Sequence, residues 1–180
     1  MQNTIEKPKT RETVSLNINT KRLLPQLLWV LKARSKDKTR PALSYMLVDN
    51  DGIVCTDGKR MHLFTNKELL PKLENGLYDV IVTPNNITFL PIESLEFPNY
   101  KQVIPNYEGI EPVAIPLNSK DISYLISSAI VNIFKSFVNG VDYEYLKDLS
   151  GENWHIRSRK DQAIEFKSGC FYALIMPIRL

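Results

Sequence analysis

At 180 residues and 43% hydrophobic, the chain is long enough to bury a core as one domain or two small ones, and its net charge is only +3. No stretch of 18 apolar residues is present, so no membrane span is expected, and the polar start lacks a signal-peptide core, which predicts an intracellular, cytoplasmic protein. Cys55 and Cys170 stand far apart in strand-like runs and read as buried free thiols, not a disulfide framework.

Residues 1–12 are charged and predict a disordered tail. Val14, Leu16 and Ile18 then alternate with polar residues as a half-buried strand. Thr20 is a candidate N-cap for a helix whose apolar face is Leu23, Leu24, Leu27, Leu28 and Leu31, with Pro25 tolerated in its first turn. After a charged loop from Arg34 to Arg40, Leu43–Val48 predicts a strand, Asn50-Asp51-Gly52 a hairpin turn and Ile53–Thr56 the return strand. Met61–Thr65 and Tyr78–Thr83 predict two more strands.

From Pro84 to Pro105 four prolines interrupt any pattern, and an irregular connection is expected. The first order then recurs. Val113, Ile115 and Leu117 alternate, Ser119 caps a helix carrying Ile122, Leu125, Ile126, Ala129, Ile130 and Ile133, and strands follow at Tyr143–Leu149, Trp154–Arg159, Ala163–Lys167 and Phe171–Met176. Two strand–helix–strands units result, 13–83 and 112–180, joined by a bridge at 84–111. One helix per unit laid on strands predicts an α+β protein with two helices on antiparallel sheet.

Three short segments stand out: Thr56-Asp57-Gly58-Lys59-Arg60-Met61, Phe97-Pro98-Asn99-Tyr100-Lys101-Gln102-Val103-Ile104-Pro105, and the final Met176-Pro177-Ile178-Arg179-Leu180. Together they resemble the bacterial sliding clamp, the beta subunit of DNA polymerase III. There a T-D-G-H-R-L turn, an F-P-D-Y-basic-basic-V-L-P linker and a terminal M-P-M-R-L strand build one peptide-binding pocket. The resemblance implies a clamp-like domain over 13–180, in a chain about half the usual length that lacks the helix expected after Tyr78–Thr83. It implies a peptide-binding site made of Leu43, Thr56, Gly58, Arg60, Met61, Pro98, Gln102, Val103, Leu174, Met176, Pro177, Ile178, Arg179 and Leu180. Lys59 stands where the family has His, Asn99 where it has Asp, and Gln102 where it has a basic residue. These departures alter the rim more than the apolar floor.

The stretch from Lys21 to Arg40 holds seven basic residues, Lys21, Arg22, Lys32, Arg34, Lys36, Lys38 and Arg40, against the single acid Asp37. Clamp-like rings line their hole with basic helices that meet duplex phosphates without reading bases, so these residues are the DNA-binding candidates. A solvated helix face accounts for them equally well. His62 and His155 lie in separate strands, and no Cys or His pair has zinc spacing. Asp49, Asp51 and Asp57 belong more simply to turns than to a metal cluster, and no nucleotide-binding glycine loop is present. The expectation is a non-enzymatic processivity factor without cofactor or metal, which tethers a polymerase or other replication and repair proteins on DNA through a short peptide. The alternative is a clamp-derived adaptor or decoy that does not encircle DNA. Ring closure would need a homo-oligomer, of about six copies if each chain supplies one domain, or a trimer if it forms two compact domains.

Overall fold

A computed structural model describes residues 11–17, 23–66, 73–116, 141–149, 153–159 and 162–177. The strands are β1 (Val14–Asn17), β2 (Met46–Val48), β3 (Ile53–Thr56), β4 (Arg60–Phe64), β5 (Gly76–Val82), β6 (Asn86–Ile92), β7 (Val113–Pro116), β8 (Asn153–Arg157), β9 (Ile164–Ser168) and β10 (Phe171–Ile175). Two α-helices are described, α1 (Leu24–Leu31) and the short α2 (Tyr143–Lys147). All ten strands join one antiparallel sheet in the order β1-β6-β5-β2-β3-β4-β10-β9-β8-β7. The α+β expectation of helices on antiparallel sheet therefore holds. The predicted helix after Ser119 and the Thr20 cap lie outside the described residues.

Period-two alternation sorts the central strands into two apolar faces. Met46, Val48, Ile53, Cys55, Phe64, Ala173 and Ile175 face the main core with Leu27 and Val30 of α1 and Leu146 beside Leu149 at α2. Val54, Met61, Leu63 and Leu174 face the other way, under Phe97, Tyr100 and Ile104 of the connection. The helix-side core is organised by aromatic rings. Trp29 stacks on His62 at 4.2 Å and 9°, Phe171 meets Trp29 edge-on at 5.1 Å, and the Trp29 indole donates to the Asp148 carbonyl at 2.9 Å.

Several expectations are corrected. The connection from Pro84 is not irregular throughout, because Asn86–Ile92 forms β6 between β1 and β5. Its Pro91 is tolerated because β1 pairs only with 86–89, so the missing N–H faces no strand there. Tyr143–Leu149 is helical, not a strand: Asp142 accepts from the Glu144 N–H at 2.9 Å as an N-cap, and Leu146 and Leu149 are buried three apart. The alternating aromatics of that segment mimicked a strand. On α1, Leu28 is exposed and Trp29 is buried in its place, since contact with His62 sets the helix rotation. Leu43 sits in a 3₁₀ turn (Pro41–Ser44) ahead of β2 and not within the strand. Cys55 is buried, its thiol pushed up to about 12 by burial, whereas Cys170 is exposed in the β9–β10 turn. Arg11, placed in the tail, is anchored: its guanidinium donates to Glu93 at 2.8 Å and to the Asn75 and Ile92 carbonyls.

His62 is fully buried, with Nδ1 2.8 Å from the Trp29 carbonyl, and Nε2 has no hydrogen-bond partner among the described residues. Burial pushes the imidazole from 6.5 down to about 4. Between those values the unfolded chain takes up a proton that the native state refuses. Stability therefore falls as pH drops from about 6.5 to about 4, by roughly 3 kcal/mol for this group. Urea titrations across that range should record the loss, and His62→Phe should flatten its slope.

Candidate functional site

The turn between β3 and β4 is specified by its residues. Thr56 Oγ1 donates to the Arg60 carbonyl at 2.6 Å and accepts the Gly58 N–H at 3.0 Å. Asp57 Oδ1 accepts the N–H groups of Lys59 and Arg60, each at 2.9 Å. Gly58 has φ of 88°, where a side chain is disfavoured. β10 pairs with β4 in the register Leu174↔Met61, and the Met176 N–H donates to the Lys59 carbonyl at 2.7 Å, extending the ladder to the turn.

The third part is the connection. Asn99 caps a 3₁₀ helix (Tyr100–Val103), its side chain accepting the Lys101 N–H at 3.2 Å. The Tyr100 hydroxyl donates to Asp49 Oδ2 at 2.9 Å, and Lys101 Nζ lies 2.5 Å from Asp51. The Lys101 hydrogen bond holds the Asp51 carboxyl below its ordinary range, while burial followed by the hydrogen bond to Asp49 pushes the Tyr100 hydroxyl up. The β2–β3 hairpin thus fastens the connection across the sheet.

Where these three parts meet the Pro41–Ser44 turn, a cleft of about 480 Å³ opens. Met61 and Leu174 form its buried floor, with Leu43 on one wall and Pro98, Tyr100 and Val103 on the other. Val103 (52%) and Met176 (42%) are large apolar side chains left exposed at its mouth. Of the residues expected there, Leu43, Thr56, Gly58, Arg60, Met61, Pro98, Val103, Leu174 and Met176 line it. Gln102 is exposed and does not line it, nor does Pro177; Ile178, Arg179 and Leu180 lie outside the described residues.

Arg60 borders the cleft, but its guanidinium goes to the helix face. It binds Asp148, Asp57 (3.2 Å) and the Lys32 carbonyl, and lies 4.6 Å from the Tyr145 ring centre. The reason is parity: Met61 and Leu63 face the cleft side, so Arg60 and His62 cannot. Sequence reasoning did not place Pro41, Ala42 or Tyr100 at the cleft. A Tyr directly after the Pro-Asn pair of a linker is the only sequence signal for the last.

The basic stretch is divided by the fold. Lys32, Arg34 and Lys36 border a polar groove at the end of α1, where Lys32 is 3.4 Å from Asp148 and Arg34 is 3.4 Å from Asp79. Lys38 is exposed, Lys21 and Arg22 lie outside the described residues, and Arg40 lines the cleft instead. Asp49 and Asp57 hold turns, Asp51 pairs with Lys101, and no cluster of three or more His, Cys, Asp or Glu fit for a metal occurs among the described residues.

No family model matches the chain, and no curated protein matches it. Solved structures do. DNA polymerase III beta subunit from Thermotoga maritima matches with a TM-score of 0.58 at 15% identity, over 99% of this chain and 69% of that one. Caulobacter crescentus pol III beta gives 0.61 at 14%, over 98% and 69%. The Helicobacter pylori beta clamp bound to a DNA ligase peptide gives 0.59 at 15%, over 98% and 68%. The chain is thus an α+β protein of the sliding-clamp fold, matching about two thirds of each solved clamp.

A Cβ on Gly58 would sit 2.9 Å from Arg40 Nη1, the far end of a flexible side chain, but the positive φ would remain strained. Gly58→Ala should therefore destabilise by about 1–2 kcal/mol in urea unfolding, and Arg40→Ala should recover little of it.

Proposed function

We propose that this protein is a non-enzymatic, cytoplasmic clamp-type docking factor that binds short peptides of replication or repair proteins in the cleft and holds them near DNA. The observation that carries this reading is the cleft itself: three distant segments converge on one mostly apolar hollow with a Met floor and exposed apolar side chains at its mouth. The fold shared with a clamp solved around a ligase peptide supports it. Within this reading the two halves descend from a duplicated strand–helix–strands unit, with β6 part of the first half and the chain after Ile92 joining it to the second. Among the described strands the sheet ends at β1 and β7, whose edges could pair head-to-tail between copies and build a ring.

Ion pairing of Lys32 and Arg34 with Asp148 and Asp79 favours a second reading, an adaptor that keeps the cleft without encircling DNA. Two measurements address these readings. In fluorescence anisotropy with a labelled peptide carrying a Gln followed by Leu and Phe anchors, Met176→Ala and Val103→Ala should each weaken binding by about tenfold or more. Both residues are exposed, so stability should change by no more than about 0.5 kcal/mol. Unaltered affinity in both variants would remove the cleft from the proposal.

Duplex binding should be sequence-blind and fall steeply between about 50 and 200 mM salt. Replacing Lys32, Arg34, Lys36 and Lys38 together by Glu should abolish it. Absence of duplex binding by the unmodified protein at low salt, in whatever oligomer light scattering shows, selects the adaptor.

A further inference from the structure

We infer that the outer face of β8 and β9 holds a second site, one that binds a phosphate monoester through His155, Arg157 and Lys167. Alternation sends Trp154, Ile156, Ile164 and Phe166 into the helix-side core, so His155, Arg157, Glu165 and Lys167 project from the other face of the sheet. Register sets His155 opposite Lys167 and Arg157 opposite Glu165. Directly opposed residues of this kind stand about 4.5–5.5 Å apart at Cβ, so the four side chains form one block. With Pro112 and Gly169 they line a hollow of about 380 Å³ that shares no residue with the cleft.

Among the described lining residues Glu165 is the one carboxylate, and it serves a single partner. It is 3% exposed and accepts from Arg157 Nε at 2.5 Å. The Tyr107 ring centre lies 5.1 Å from the same guanidinium carbon, and the Tyr107 hydroxyl is tied to the Ala163 carbonyl. The guanidinium is thus held at Nε and against one face, and its two Nη groups bond to no described residue. His155 and Lys167 are exposed and have no carboxylate partner among the described residues. A solvated strand face needs no such arrangement. A buried Glu–Arg pair seldom adds stability over an apolar pair of the same volume, and what it adds here is a guanidinium of fixed direction. Two Nη groups, an ammonium and an imidazole supply separate donors for the three outer oxygens of a phosphate monoester, whereas a planar carboxylate would fill only the Arg157 fork. The charge is also confined. Ala114 of β7 stands opposite His155 and Tyr172 of β10 opposite Lys167, so no cationic stripe of the kind a polyanion follows runs across the face.

The test is a two-dimensional NMR titration of the isotope-labelled full chain with phenyl phosphate, inorganic phosphate and a short phosphoserine peptide. Phenyl phosphate should shift the backbone amides of His155, Arg157, Lys167 and Gly169 with a Kd of about 1 mM or below. Arg157→Lys keeps the charge and a donor for Glu165 but loses the fork, and should weaken binding about fivefold. Lys167→Gln changes an exposed side chain, leaves the fold intact and should weaken binding by a similar factor. Lys147→Gln, at an exposed cation on α2, should leave it unchanged. Tighter binding of the phosphopeptide than of both small probes assigns the site to a phosphorylated side chain, and equal binding assigns it to a small phosphate ester. No shift of these amides by any of the three at up to about 20 mM overturns the site. Equal weakening by Lys147→Gln and Lys167→Gln, or shifts produced there by duplex DNA alone, overturns it as well, since the charge would then act only as a diffuse surface.

Discussion

The pairing of β10 with β4 is the constraint on which the rest of the molecule depends. Five positions of each strand are matched, Phe171↔Phe64 through Ile175↔Arg60, across more than a hundred residues of intervening chain. Closing so long a loop is entropically unfavourable, and the return comes from burying both faces of the two strands. On one face Phe171, Ala173 and Ile175 join the aromatic core around Trp29. On the other, Leu174 meets Met61 and Val54. A one-residue slip would exchange the faces, moving Leu174 into the helix core and Ala173 to the cleft floor. Register therefore decides whether the cleft exists.

The cleft walls depend on polar contacts that take no part in its floor. Tyr100 and Lys101 are held by Asp49 and Asp51, and those two aspartates belong to the turn that sets the β2–β3 register. Asp49 thus performs two tasks with its two oxygens, closing its own turn with Oδ1 and receiving Tyr100 with Oδ2. Arg60 has the corresponding role below the sheet. By joining Asp57, Asp148 and the Lys32 carbonyl it ties the turn to both helices. Arg60, Asp57 and Asp148 are each less than a fifth exposed, and a shielded charge network is costly to break in part, which makes these three determinants of shape even though no ligand need touch them.

Alternation and turn chemistry made much of this legible in sequence. The strands around the cleft follow from period-two patterns, and Thr56-Asp57-Gly58 reads as a turn because a hydroxyl, a short carboxylate and a glycine each satisfy one requirement of it. The facing of Arg60 was also readable, since the parity that sends Met61 and Leu63 to the cleft sends Arg60 to the helices. The misreadings have physical causes. β6 was hidden by Pro91, harmless only because β1 stops short of it. α2 was hidden because five residues are too few to show a helical period, and its stability comes from Leu146 and Leu149 packing under Trp29 and Trp154. The rotation of α1 rests on a Trp–His stack between segments 33 residues apart, which no local pattern encodes.

The fold also redistributes charge in a way that composition hides. As a sequence, the stretch from Lys21 to Arg40 looks like one cationic stripe. In space its end turns away from the helix face: Arg40 goes to the cleft, while Lys32 and Arg34 remain with carboxylates opposite them. Lys32 is half exposed and Arg34 partly so, and pairs with one solvated partner are weak, about 0–1 kcal/mol each. Asp148 is moreover shared between Lys32 and Arg60, so drawing Lys32 away leaves Asp148 to Arg60 and does not strand a buried charge. The cleft rim, whose described lining has cations and no carboxylate, keeps its charge for whatever enters.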